Sequence, residues 1–411
     1  MPLARLANEP HRVFFPLGIL ASILGVALWP LHFGGILAAW PLEAHARLMV
    51  VGFGGCFIVG FLGTAGPRLL GSFPWTTPEV VAHATTSGAI ITLLMLGQVP
   101  AADTVTGFWL AGVLASLGVR FVFGRKDVPP PGFPIAVLGV VGACIGSFAL
   151  AIHSVVHLSP LWHSFWRLML FQGFLWLPIL GVAPYLLPRF FGKSSPHSLD
   201  ESRSIPRGWW RPFFISVIAG LLMIYSFEVE ARGLLRPGMW LRAAVVGVSI
   251  AFSVPGWLGW GGVNAVGRGL RWVVPCALAG WIAAGWFVPL RIGLLHGMFI
   301  GATGLIMIGV ATRVVLGHGG RHDRLQSPMK WFHAVWALLL LVAATRITPE
   351  FVPKIRISHY IYAASFWTIT MLFWAWRLRL EFAKPKPIKL LQPSFGRSGW
   401  RLPNLDLRRG A

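Results

Sequence analysis

The sequence predicts an all-α fold: a polytopic transmembrane helical bundle of about 12 spans with both termini cytoplasmic. Three observations lead there: a composition too apolar for water, a series of apolar runs long enough to cross a bilayer, and Lys and Arg gathered in alternate connections. Of 411 residues, 55% are hydrophobic and 12% are charged, with a mean hydropathy of +0.69. A soluble domain carries about 25% charge. The 21 Trp, 29 Phe and 4 Tyr exclude a disordered chain.

A helix needs about 20 largely apolar residues to cross the hydrocarbon, with roughly 17–25 tolerated. Such runs lie at 14–38, 45–66, 80–98, 104–123, 133–152, 163–187, 212–228, 237–256, 271–290, 294–315, 329–346 and 357–378. They are too long and too evenly apolar for the alternating strands of a β-barrel. The first run follows Arg5 and Arg12 but shows no small-residue cleavage site, so it is expected to stay as a helix. Gly and Pro within the runs are compatible with membrane helices, because neighbouring helices satisfy the displaced backbone groups.

Charge placement supplies the orientation. There are 35 Lys and Arg against 13 Asp and Glu, a net charge of +22. With a cytoplasmic N-terminus, 26 of the 35 basic residues fall on the inner side, as the positive-inside rule requires. Basic residues in short clusters between apolar runs exclude a nucleic-acid surface; the expected partner is a lipid bilayer with anionic headgroups. The connection 188–211 divides the chain into a first six-span bundle, 1–187, and a second, 212–378. A basic irregular tail, 379–411, follows. Gly52-Phe53, Gly60, Pro67-Arg68 and Gly71 recur 121 residues later as Gly173-Phe174, Gly181, Pro188-Arg189 and Gly192, an internal echo between spans two and six.

Ionisable residues inside a membrane mark function, and the 13 His are the most informative. Neutral imidazole is a ligand for haem iron and for copper. His45 opens span two, with Met49 on the same helix face and Arg47 nearby to pair a carboxylate or an anionic cofactor group. His83 opens span three and His296 opens span ten, each five residues before a Gly that leaves room for a flat macrocycle. His318 stands between glycines in a donor-rich turn that includes Arg313 and Arg321, suited to a propionate or phosphate. His153, His157 and His163 cluster near Arg167, where the first two form an i,i+4 pair. His333 and His359 head spans eleven and twelve. In this topology His45 and His296 start near the outer face and His83 near the inner face, so one planar cofactor cannot join His83 to His45.

Each of these residues also has a bland reading: capping, snorkelling, or a hydrogen bond to a neighbouring helix. Cys56, Cys144 and Cys276 sit in apolar runs and read as packing residues. The chain has no C-x-x-C-H signature, so any haem is non-covalent, and no Walker A sequence. Acidic residues deep in spans are nearly missing, with Glu228 expected to come closest.

The residues that carry this chemistry also carry a likeness. The chain resembles the NnrS family of bacterial polytopic membrane proteins. The resemblance runs from His45-Ala-Arg-Leu-Met49 through Gly52-Phe53 and Gly60-Phe61 to Thr64-Ala65. It continues over Gln172-Gly173-Phe174 to Leu187-Pro188-Arg189. It is most specific at His296, Gly301 and Thr312-Arg313-Val314-Val315-Leu316-Gly317-His318-Gly319-Gly320-Arg321. Gly66-Pro67-Arg68-Leu69-Leu70-Gly71 departs from the family's Ala-Pro-Asn-Trp-Thr-Gly, and Gly319 replaces a Thr.

The resemblance implies a haem- and copper-binding inner-membrane protein tied to nitric oxide and nitrosative stress, with an electron donor or membrane enzyme as partner. It raises His45, His83, His296 and His318 as cofactor residues, with His333 and His359 behind them. Competing expectations are a secondary transporter for a small solute or metal complex, and a factor that delivers cofactor to another membrane enzyme.

Overall fold

The structure is a computed structural model that describes residues 3–195, 197, 202–259 and 264–383. Long helical stretches follow one another as α1 (His11–Phe33), α2 (Leu42–Leu69), α3 (Thr77–Met95), α4 (Val99–Gly124), α5 (Phe133–His153), α6 (Pro160–Phe191), α7 (Trp210–Ala231), α8 (Leu235–Ser253), α9 (Val273–Trp286), α10 (Val288–His318), α11 (Phe332–Phe351) and α12 (Arg356–Ala383). Among the described residues, nine of these are long and apolar enough to cross a membrane: α1, α2, α4 to α8, α10 and α11. Helix α9 has only 14 residues. The protein is an all-α membrane bundle, with no strand among the described residues. The helices at the other three expected positions, α3, α9 and α12, fall outside that criterion among the described residues.

Local chemistry sets several boundaries. The Thr76 side chain caps α3 at the backbone N–H of Glu79, while Glu79 returns to the Thr76 backbone N–H at 2.6 Å; this reciprocal pair stops the chain from fraying into the preceding loop. Helix α12 continues through Ala383, into the tail expected to be irregular; residues 384–411 lie outside the described part. Within the basic connection, His197 Nε2 bonds the Val128 carbonyl and Arg203 bonds that of Arg125, so its described residues lie against the loop after α4. Residues 196 and 198–201 are not described.

Helix neighbours follow a period of four. Helices α1 and α2, α5 and α6, and α9 and α10 pack together, as do α3 and α4, α7 and α8, and α11 and α12. Contacts of α4 with α5, α8 with α9, and α12 with α1 then join these pairs into three groups of four that make up the bundle. Helices α2, α6 and α10 form its centre: 78% of the most apolar window of each is buried, against 56% or less for the other six candidate spans.

The internal echo corresponds to real geometry, and it has a third copy that the sequence reading missed. Each central helix widens into π-helix at the same place, over Leu48–Gly55, Met169–Gly173 and Gly297–Gly304. Each then ends at a glycine in the left-handed region: Gly71 (φ 58°), Gly192 (φ 73°) and Gly320 (φ 74°). The copy in α10 keeps Gly301 and Gly309 but lacks the Gly-Phe and Pro-Arg pairs, so pattern matching passed over it. Within the π segments, small residues bring the outer helices close. A Cβ on Gly52 would lie 2.7 Å from Ala21 Cβ of α1, and one on Gly301 would lie 2.9 Å from Cys276 Sγ of α9.

Candidate functional site

The three π segments meet around a cavity of about 540 Å³ at one end of the bundle, walled by α2, α6 and α10 with α1, α11 and α12. Its size lies within the roughly 300–1,000 Å³ of small-molecule and cofactor sites. Most of the wall is apolar, including Phe53, Leu175, Phe299 and Trp367; the polar groups are few and convergent.

His45 and His296 both line this cavity, and each anchors Nδ1 on a backbone carbonyl, His45 across to α1 and His296 one turn back in its own helix. His45 Nδ1 lies 2.9 Å from the Gly25 carbonyl oxygen, and His296 Nδ1 lies 2.8 Å from that of Ile292. A carbonyl only accepts, so each Nδ1 carries the hydrogen and each Nε2 keeps its lone pair. Neither Nε2 has a hydrogen-bond partner among the described residues. A backbone carbonyl on one ring nitrogen with the other nitrogen open is the arrangement metal-bound histidines adopt, because it fixes tautomer and ring orientation. Met49 and Met307 add thioethers to the same wall, and Trp29 stands edge-on to His45 at 5.7 Å.

Three arginines line the cavity: Arg167, Arg291 and Arg346. Arg167 pairs with Glu43 at 2.8 Å. Arg346 pairs with Glu350 at 2.8 Å and lies over the Tyr360 ring at 4.1 Å. Such guanidiniums suit carboxylate groups of a bound molecule. Trp367 has a buried indole N–H without a partner among the described residues. The set fits a haem: two imidazoles on facing helices, an apolar slot, and cations for its carboxylates.

The wall is braced from behind. Gln172, in the π segment of α6, accepts hydrogen bonds from Arg242 Nη1 at 2.8 Å and Trp281 Nε1 at 3.0 Å. Arg242, fully buried, also pairs with the cavity-lining Glu230. Nearby, Arg47 makes a two-pronged pair with Asp103, both bonds 2.7 Å, and a third bond to Glu43. Asp103 is thus fully buried within α4 and Glu230 nearly so at the end of α7, while Glu228, expected to come closest to that role, lies half-exposed against Arg232.

The other predicted residues lie elsewhere. Arg47 is held by its carboxylates rather than facing the cavity. His83 packs on Trp75, with Nε2 3.2 Å from the Ser116 hydroxyl. His333 stands against Arg268 and Trp336. His359 bonds the Ile355 carbonyl beside Tyr362. Arg313 lies over the Phe190 ring, and Arg321 pairs with Asp323 and Glu381.

His318 belongs to a polar cluster at the opposite end, with its ring 5.1 Å from His11, Nδ1 3.5 Å from Glu9 and Arg68 at 2.8 Å. Burial works against ionisation of Glu9, but hydrogen bonds with His318 and Arg12 outweigh it and hold the carboxyl down to about 2. His153, His157 and His163 do cluster, with 4.2 Å between the first and third ring centres. However, His153 Nδ1 accepts the Leu158 backbone N–H, which puts the ring hydrogen on Nε2. Among the described residues, no group of three or more His, Cys, Asp or Glu is placed to hold a metal ion.

Sequence reasoning missed Arg291 and Arg346. Arg291 carried a readable signal, five residues before His296 at the head of the same helix. Arg346 had none, since α11 reaches the cavity only through packing.

A family model described as NnrS protein matches residues 5–386 of the chain. No curated protein matches it.

Proposed function

Because the chain belongs to the NnrS family, we propose that it holds haem in the bacterial inner membrane and acts in the response to nitric oxide, with His45 and His296 as the iron-binding residues. The observation behind this reading is the pair of imidazoles that line one cavity, each with Nδ1 anchored on a backbone carbonyl and Nε2 without a hydrogen bond among the described residues. Arg167, Arg291 and Arg346 receive the carboxylates, and the aromatic wall excludes water. Haem held there by His45 and His296 would supply one-electron redox chemistry and an iron able to bind a diatomic ligand. His83, His318, His333 and His359 have no part in this site. In this reading the chain crosses the membrane twelve times with both termini in the cytoplasm. The cavity then opens near the outer face, where a membrane electron donor reaches it.

The test is the absorption spectrum of protein purified from cells well supplied with haem. A haem Soret band that is absent in His45→Ala and His296→Ala, and restored to the corresponding His→Gly variants by added imidazole, supports the assignment. Wild-type protein without bound iron, or variants that keep the native spectrum, overturns it.

A further inference from the structure

A second, smaller cavity of about 90 Å³ lies between α1, α2, α6 and α10, deeper along the bundle than the histidines. Its lining is entirely Phe, Leu, Ile, Val, Ala, Pro and Met, so no side chain offers it a hydrogen bond. A cavity of this kind stays dry and takes small apolar solutes such as xenon. It exceeds the roughly 30 Å³ share of one water but is well below the roughly 300 Å³ of the smallest cofactor sites. Ile179, Val182 and Val310 on its rim retain partial exposure, so it is not sealed.

Two side chains, Leu175 and Met307, line both this cavity and the large one. They meet over Gly54, in the π segment of α2. A Cβ built there would lie 2.7 Å from Leu175 Cδ2 and 3.5 Å from Met307 Cε. A flexible thioether and a leucine terminus, on a backbone position without a side chain, form a partition that rotamer changes open.

We propose that the small cavity binds a neutral apolar gas of diatomic size drawn from the bilayer, and that the Leu175–Met307 partition passes it to the His45–His296 cavity. The binding half stands on the pocket itself; the delivery half rests on the haem reading above. Lipid is the natural source, because such gases partition into hydrocarbon while the cavity offers water nothing.

The test uses the full chain in lipid nanodiscs. Under rising xenon pressure, methionine methyl NMR is expected to show a saturable shift of the Met307 resonance in wild type, lost in Val310→Phe and in Val182→Phe, which fill the pocket from two helices. A shift that never saturates, or one that persists in both variants, overturns the binding site. This arm reads out whether or not haem is present, so its failure is separate from that of the haem reading. In the delivery arm, stopped-flow mixing of nitric oxide with the reduced protein should show association several-fold slower in the two Phe variants, with haem content and spectrum unchanged. Equal rates overturn the route.

Discussion

At the cavity end of the bundle, His45 and His296 each bond one ring nitrogen to a backbone carbonyl and, among the described residues, leave the other without a hydrogen bond beside the open volume. At the opposite end, His318 has Arg68 against both of its ring nitrogens and Glu9 within 3.5 Å, while His11 Nδ1 lies 3.3 Å from the Thr64 hydroxyl. Both ends combine imidazoles, arginines and carboxylates. What separates them is whether the lone pair is already engaged: one end is built to bind, the other to tie helix termini together.

Exchanging histidines between the ends gives the sharpest break. His45→Ala and His296→Ala should abolish haem retention, while His318→Ala and His83→Ala should leave the haem-to-protein ratio unchanged. A pyridine haemochrome assay on the purified variants checks this. Equal losses at both ends would erase the distinction.

Next in size is the support behind the cavity end. Asp103→Ala strands the buried Arg47 guanidinium with only Glu43. Leaving one partner of a buried pair uncompensated costs about 3–5 kcal/mol, so a marked fall in thermal midpoint in detergent is expected. A midpoint within a degree or two of wild type would mean that water reaches Arg47.

A smaller effect concerns the cavity cations. Arg346→Gln removes a charge-assisted bond of about 1.5–3 kcal/mol and should weaken haem retention roughly tenfold or more. Competition with a soluble haem acceptor measures it.

The smallest effect belongs to the tied end. Glu9 has its carboxyl held at about 2 against an ordinary 4.5. Its contribution to stability is therefore complete above pH 4.5 and is lost as the pH falls towards 2. Glu9→Gln should flatten the acid limb of the stability profile in that window and leave the haem spectrum alone. An unchanged acid limb would remove Glu9 from the account.

The sequence showed the bundle because bilayer thickness leaves few solutions: long apolar runs and alternate basic connections are enough. It also put His45 and His296 at the heads of helices on the same side, which was needed for them to meet. It did not show that they meet, because their helices are separated by some 250 residues of chain. Arg346 and Glu230 were invisible for a similar reason, each reaching the site through packing of a helix with no pattern of its own. The period of four was half legible: Gly-Phe and Pro-Arg betrayed two copies, while the third survives only in its glycines and its backbone. Hydropathy counts twelve runs, and nine helices among the described residues meet the length and apolarity of a span. Of the remaining three, α9 is only 14 residues long.

The π segments have a mechanical consequence. A wide turn accommodates a residue that an α-helix has no room for, so each central helix has two halves whose faces are out of step. Removing Val51 would return α2 to ordinary winding and, because the wide turn had absorbed that residue, leave the half beyond it on its present face. His45 would keep its bearing towards Gly25, and Gly60 and Thr64 theirs towards Phe15 and His11, while the side chains inside the wide turn, Met49 and Phe53 among them, would shift at the cavity wall.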